Sequence, residues 1–233
     1  MSSVYRREVR AYFSSPLAYA VMFSFWLVGG YFFAAGLLSS REAIMDPFFG
    51  NTSILLIFLA PVLTMRLWAE EEQSGTAELL RTVPLPTWKI VLGKYLAVLT
   101  VFAAMLVGTL VYPLFLELHA APAWGVVLSG YLGFFLLGAA TLAVGTFTST
   151  LSDSQMVAGV IGGGLLLLLW AAEWVAGDLP GLLGNVVAYA SLLTHFNDFV
   201  SGVIDLRHIV YEVTFAAGFL ALAVVGVERR GWQ

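Results

Sequence analysis

The chain has 233 residues, 60% hydrophobic and 11% charged, with mean hydropathy +0.88 and formal net charge −4. A soluble domain carries roughly 45–50% apolar residues, so an ordinary soluble fold is excluded, and the slightly acidic balance gives no sign of nucleic-acid binding. With no cysteine, disulfides and thiolate metal sites are excluded as well.

The first segment, SSVYRREVRAYFSS, reads as a short interfacial helix over residues 1–15. Val4, Tyr5, Val9, Tyr12 and Phe13 would dip into the membrane interface while Arg6, Arg7 and Arg10 meet lipid phosphates. Arginines ahead of an apolar run also suit a signal peptide, but the run over residues 16–38 is longer than the roughly 7–15 residues of a signal core. Six runs are long and apolar enough to cross a hydrocarbon core of roughly 30 Å as helices. They are residues 16–38, 52–68, 87–116, 124–148, 155–176 and 209–227. The expected fold is all-α, a single polytopic transmembrane domain over residues 1–233.

Lys and Arg are retained on the cytoplasmic side. With the N-terminus inside, Arg6, Arg7, Arg10, Arg66, Arg81, Lys89, Lys94, Arg229 and Arg230 are cytoplasmic, and only Arg41 and Arg207 of the 11 basic residues are outside. That bias requires an even number of spans with both termini cytoplasmic.

Residues 66–86, RLWAEEEQSGTAELLRTVPLP, then form a cytoplasmic loop. Glu70, Glu71 and Glu72 follow the end of the second span, and Ser74-Gly75-Thr76 offers a break and an N-cap. Glu78 suits the positive end of a new helix dipole, with Leu79, Leu80 and Val83 on its apolar side. Pro84 and Pro86 stop that helix. Thr87 is placed to cap the next one, with Lys89 and Lys94 anchoring its start at the lipid surface. A bracketed amphipathic helix suits contact with a partner; a solvated connecting loop is the plainer alternative.

Further along, Gly138 and Gly145 on the fourth span, and Gly159 and Gly163 on the fifth, are small residues that let helices approach closely in lipid. Internal packing and a subunit interface both remain open for them. Glu117, Glu173 and Glu212 fall near outer span ends, where a carboxylate reaches water. Residues 179–207 are apolar but broken by Gly, Pro, Asn, Asp and His. Within them His195 can steady a turn, Asp198 reads as surface, and Asp205 and Arg207 can pair locally. His119, His195 and His208 lack a helical metal-ligand spacing, so no metal site is expected.

No phosphate cradle is present. A P-loop needs G-x-x-x-x-G-K-[ST]; the only Gly-Lys, Gly93-Lys94, is followed by Tyr95 and has Trp88 where the first glycine belongs. No nucleophile–base constellation stands out either, so no catalysis is expected of this chain.

Residues 66–71 (RLWAEE), 74–80 (SGTAELL) and 83–84 (VP) resemble the signature MRL-x-x-EE-x-x-SGT-x-E-LL-x-x-x-P of ABC-2-type transporter permeases. The opening RREVRAYFSSP (6–16), IVLGKY (90–95), GYLG (130–133), SLLTHF (191–196) and GVIDLR (202–207) are similar to its gliding-motility-type (GldF-like) branch, which is related to permeases of copper-enzyme maturation. The resemblance implies a permease subunit of the prokaryotic cytoplasmic membrane. Its coupling contacts to a cytoplasmic ABC ATPase dimer would lie in residues 70–83, in the Ser152-Asp153 loop and in the N-terminal helix with Arg6 and Arg7. The partner would bind ATP and Mg, this chain holding no cofactor. The resemblance further implies a second permease copy, a possible GldG-like extracytoplasmic auxiliary protein, and an outward re-entrant pair of helices over residues 179–207. A self-sufficient secondary transporter is the alternative; it would show repeated halves and ionisable residues at mid-membrane, and the sequence displays neither.

Overall fold

The computed structural model describes residues 1–40, 42, 44–73, 85–178, 181, 184, 187 and 189–230, with helix and no strand among them. Helices α1 (Ser2–Ser14), α2 (Pro16–Ser40), α3 (Asp46–Ser53), α4 (Leu56–Thr64) and α5 (Arg66–Gln73) make the first half. The second half comprises α6 (Thr87–Thr109), α7 (Val111–His119), α8 (Trp124–Ser149), α9 (Gln155–Asp178), α10 (Leu192–Val200) and α11 (Leu206–Arg230).

Among the described residues, five stretches are long and apolar enough to cross a membrane: α2, α6 with α7, α8, Gln155–Ala172 of α9, and Leu206–Arg229 of α11. A sixth would be α3 with Leu56–Glu70, a pair bent by 54° at its break. A single run over residues 52–68 was the expectation; the apolar stretch instead starts earlier and turns sharply. Pro61 cannot donate to the carbonyl of Ile57, and its ring crowds that carbonyl. Just ahead, the N–H groups of Leu55 and Ile57 bond three residues back, to Thr52 and Ile54, at 3.0 and 3.1 Å, a tightening that redirects the axis.

A second proline is accommodated differently. Pro113 leaves the Thr109 carbonyl without its helical donor, and the Tyr131 hydroxyl donates to that carbonyl at 2.9 Å. The long α6–α7 run is thereby tied to α8 where its own ladder fails.

Helix α8 is the axis of the bundle. Its Phe134 is fully buried, with ring centroids of Phe25, Phe48, Phe49, Phe102 and Phe196 at 5.9–6.4 Å. These rings come from α2, α3, α6 and α10, so one side chain gathers four elements, at spacings where aromatic pairs attract. Glycines admit the neighbours. A Cβ at Gly138 would overlap the Phe102 ring, and one at Gly145 would overlap the Thr64 hydroxyl. On α9 the fit is looser: a Cβ at Gly159 would stand 3.5 Å from Met65 Sδ, and one at Gly163 would stand 4.0 Å from the Ile57 carbonyl.

Of the three carboxylates expected near water, Glu117 accepts a bond from Trp124 Nε1 at 2.8 Å on an exposed surface. The Glu173 side chain lies outside the described residues. Glu212 is 2% exposed, and neither of its carboxylate oxygens has a hydrogen-bond partner among the described residues. It shares a helical face with buried Ala216 and Ala223, and α11 packs chiefly along α8. Position along a helix suggested water; the direction of its face put it inside.

Helix α10 stops in a Schellman motif. Val203 N–H donates to the Asp198 carbonyl at 2.9 Å and Gly202 N–H to that of Phe199 at 3.1 Å, with Gly202 at φ +85°, where only glycine is at ease. Five residues separate the end of α10 from the start of α11, so α10 and the start of α11 lie side by side.

Candidate functional site

Where α1, α5 and the first turns of α6 meet, the bundle contains a buried charge. Lys94 is 1% exposed. Its Nζ donates to the Leu67 carbonyl at 2.5 Å and to Glu8 Oε1 at 3.3 Å, and stands 5.0 Å from the Trp68 ring. A desolvated ammonium is costly unless its donors are occupied; here α1 and α5 supply partners for the α6 lysine. Helix α6 reaches α1 closely at Gly93, where a Cβ would stand 3.2 Å from Val4.

A second set of contacts sits beside the first. The Tyr12 hydroxyl donates to the Leu63 carbonyl at 2.5 Å, and the Arg66 guanidinium covers the Tyr12 ring at 4.3 Å. Burial pushes the Tyr12 phenol far up, against the opposing pull of Arg66, so it remains a neutral donor. Arg66 also pairs with Glu70 at 3.5 Å, one helical turn on. Helix α1 is thus fastened to the end of α4 and the start of α5.

The third side comes from α8. Trp68 N–H, an otherwise orphaned donor in the first turn of α5, bonds to Ser149 Oγ at 3.2 Å, and that hydroxyl donates to the Met65 carbonyl at 3.2 Å. Directly after, Ser152 Oγ accepts from Ser154 N–H at 3.1 Å, folding the loop that also holds Asp153. The chain runs from this joint straight into residues 74–84.

Several expectations are corrected by this geometry. Lys94 is no lipid-surface anchor; it is a buried joint. Much of the apolar side of α1 meets protein instead of lipid: Tyr12 is fully buried, Val4 packs at Gly93, and Tyr5 hydrogen-bonds Thr100 at 3.0 Å, while Phe13 stays exposed. Helix α6 offers α1 a protein surface, which outcompetes the interface. Thr87 is the first residue of α6 rather than its cap; Pro86 holds that position with no side-chain bond. Arg6, Arg7 and Arg10 remain exposed along an open groove of about 430 Å³ with Ser3, Ala11 and Ser14, Arg7 pairing with Glu8 at 2.8 Å. Ser74, Gly75, Thr76, Glu78, Leu79 and Leu80 lie outside the described residues, as do the side chains of Glu71 and Glu72. Sequence reading missed the roles of Tyr12, Lys94 and Ser149. The available signal was the depth of Lys94, seven residues into its helix and beyond the interfacial Trp88 and Lys89.

The opposite end of the bundle holds another polar group. His195 Nδ1 meets His208 Nδ1 at 2.6 Å, His208 Nε2 meets Asp198 Oδ2 at 2.7 Å, and His195 Nε2 meets the Tyr189 carbonyl at 3.0 Å. An open pocket of about 960 Å³ is lined by these residues together with Asp205, Arg207 and Tyr211. Asp205 and Arg207 do not pair through side chains: Asp205 Oδ1 accepts the Arg207 backbone N–H at 2.8 Å, closing the first turn of α11 as a capping residue does. Asp198, expected as plain surface, is bound to His208. No group of three potential ligands able to hold a metal ion occurs among the described residues.

Comparison with known families places this geometry in context. The family described as "ABC-2 family transporter protein" matches residues 8–227, nearly the whole chain. No curated protein matches it.

Proposed function

The chain belongs to the ABC-2 transporter family, and on that premise we propose that it is a permease subunit driven by a separate cytoplasmic ATPase. In this reading the bundle crosses the cytoplasmic membrane six times with both termini inside, and works with a second permease copy. Residues 70–83 are the main contact with the ATPase, and Ser152 and Asp153 a smaller one. The observation that carries the reading is the buried Lys94 joint. It ties α1, α5 and α6 within one turn of the point where the chain enters the coupling segment. A push on a segment is transmitted only if its root is stiff; here the root is held by a charge that cannot leave its partners cheaply.

The gliding-motility-type branch, with a GldG-like auxiliary protein on the outer side, is our finer assignment, supported by the GVIDLR and RREVRAYFSSP segments. ATP and Mg are then needed by the complex and held by the partner.

The decisive test is a Glu78→Lys, Leu79→Glu double variant co-expressed with its partner ATPase. We expect loss of co-purification and of permease-stimulated ATP turnover, with the permease still in the membrane. Retention of both would overturn the coupling assignment.

A further inference from the structure

At the end opposite Lys94, three hydrogen bonds run in series from the Tyr189 carbonyl through His195 and His208 to Asp198, at 3.0, 2.6 and 2.7 Å. Both ends of the series are acceptors, a carbonyl and an ionised carboxylate. His195 Nε2 must therefore carry a proton to bond Tyr189, and His208 Nε2 must carry one to bond Asp198. Between them two Nδ1 atoms face each other, and they bond only if one is protonated. Three ring protons are required, whereas two neutral imidazoles supply two. The series is complete only when the pair holds one extra proton, whose charge Asp198 balances.

We propose that His195, His208 and Asp198 form a single-proton clasp joining α10 to α11, closed with three ring protons and open with two or four. This goes beyond the transport reading and does not depend on it. With two protons one bond of the series must break. With four, N–H faces N–H across the gap between the rings.

The surroundings oppose a second charge on the pair. Burial holds His195 below the ordinary imidazole range; the Tyr189 carbonyl opposes this, His208 lowers it further and Asp198 raises it. The fourth proton therefore binds only in more acid solution than an isolated imidazole needs. Because the folded chain takes that proton less readily than an unfolded one, the contact weakens as pH falls through this range.

Other titratable groups near the pair have tasks of their own. Tyr211 donates to the Ala190 carbonyl at 2.8 Å while its ring lies 3.9 Å from that of His195. The Tyr189 ring stands edge-on to His195 at 5.1 Å. Asp205 caps α11 through Arg207 N–H, and buried Glu212 follows one turn beyond His208. Among the elements against α10, α8 carries no Asp, Glu, Lys, Arg or His, α3 brings Asp46, and the Glu173 and Asp178 side chains of α9 lie outside the described residues. The pocket of about 960 Å³ opens the pair to solvent, so protons exchange from that side. From the clasp, α11 runs the length of α8 to Gly226, where a Cβ would stand 2.5 Å from Thr150 Oγ1. The state of the clasp thus sets how the last span is held at one end.

The test uses the full chain in zwitterionic lipid nanodiscs with ring-¹⁵N histidine and His119→Gln to remove the third imidazole. Ring-nitrogen shifts followed from about pH 4 to 9 should show three protonated ring nitrogens over an intermediate window, with both rings changing together at its two edges. Two rings titrating separately, each near 6.5 like a free imidazole, would overturn the clasp. Asp198→Asn removes the balancing charge and should release the third proton about one pH unit lower or more; an unmoved transition counts against the proposal. Since the chain has no cysteine, a nitroxide pair at Ser201→Cys and Val213→Cys reads opening directly. Its distance distribution should broaden on both sides of the window, and a distribution constant from acid to alkaline pH would also overturn the proposal.

Discussion

The two ends of the bundle hold charge in different ways. At one, Lys94 is sealed among Leu67, Glu8 and Trp68 and joins three elements around a point charge. At the other, His195 and His208 meet Asp198 beside an open pocket and join two elements through bonds that need a particular proton count. Lysine as a residue type titrates far above neutrality and histidine close to it. A sealed amine makes a fixed joint, and paired imidazoles make a conditional one. The difference teaches that rigidity in this fold is placed where α1, α5 and α6 meet, while adjustability is kept where α10 meets α11.

The comparison breaks most readily at Lys94. Lys94→Met keeps the length of the side chain but removes the ammonium from the Leu67 carbonyl and leaves Glu8 with Arg7 alone. We expect a loss of about 3 kcal/mol or more, read as a lowered thermal midpoint of the full chain in detergent. A variant as stable as the parent would show that the buried charge is no joint. The next largest effect is expected midway between the ends. Gly138→Val forces two methyl groups toward the Phe102 ring, and should cost about 1–3 kcal/mol in the same measurement while the histidine shifts stay put. Coupled movement of those shifts would mean that α8 links the two ends. The smallest change sharpens the contrast: Glu70→Gln removes only an exposed one-turn pair with Arg66 and should move stability by about 0.5 kcal/mol at most, although it lies one helical turn from Leu67.

Much of the architecture was legible in advance. Long apolar runs declare helices because every backbone group in lipid must be satisfied within its own segment, and α2, α6, α8, α9 and α11 lie where those runs are. The SGT-x-E segment together with the terminal motifs pointed to the family that the match over residues 8–227 shows. What escaped were directions. Glu212 was read from its place near a span end, yet its face turns toward α8. The apolar side of α1 was assigned to lipid because nothing in its sequence says that α6 offers a glycine beside it. The rescue of the Thr109 carbonyl by Tyr131 answers a proline visible in the sequence, but its outcome depends on what stands opposite.

Hydropathy, a property of the chain as a string, was enough for the helix content and for most of the apolar runs, and short sequence motifs were enough for the family. Only packing in three dimensions decided that Lys94, Glu8 and Leu67 share one site, and that His195, 13 residues from His208, faces it nitrogen to nitrogen. The reason is physical: transfer into lipid depends on local composition, whereas the worth of a buried charge or an imidazole depends on partners that distant segments bring within about 3 Å.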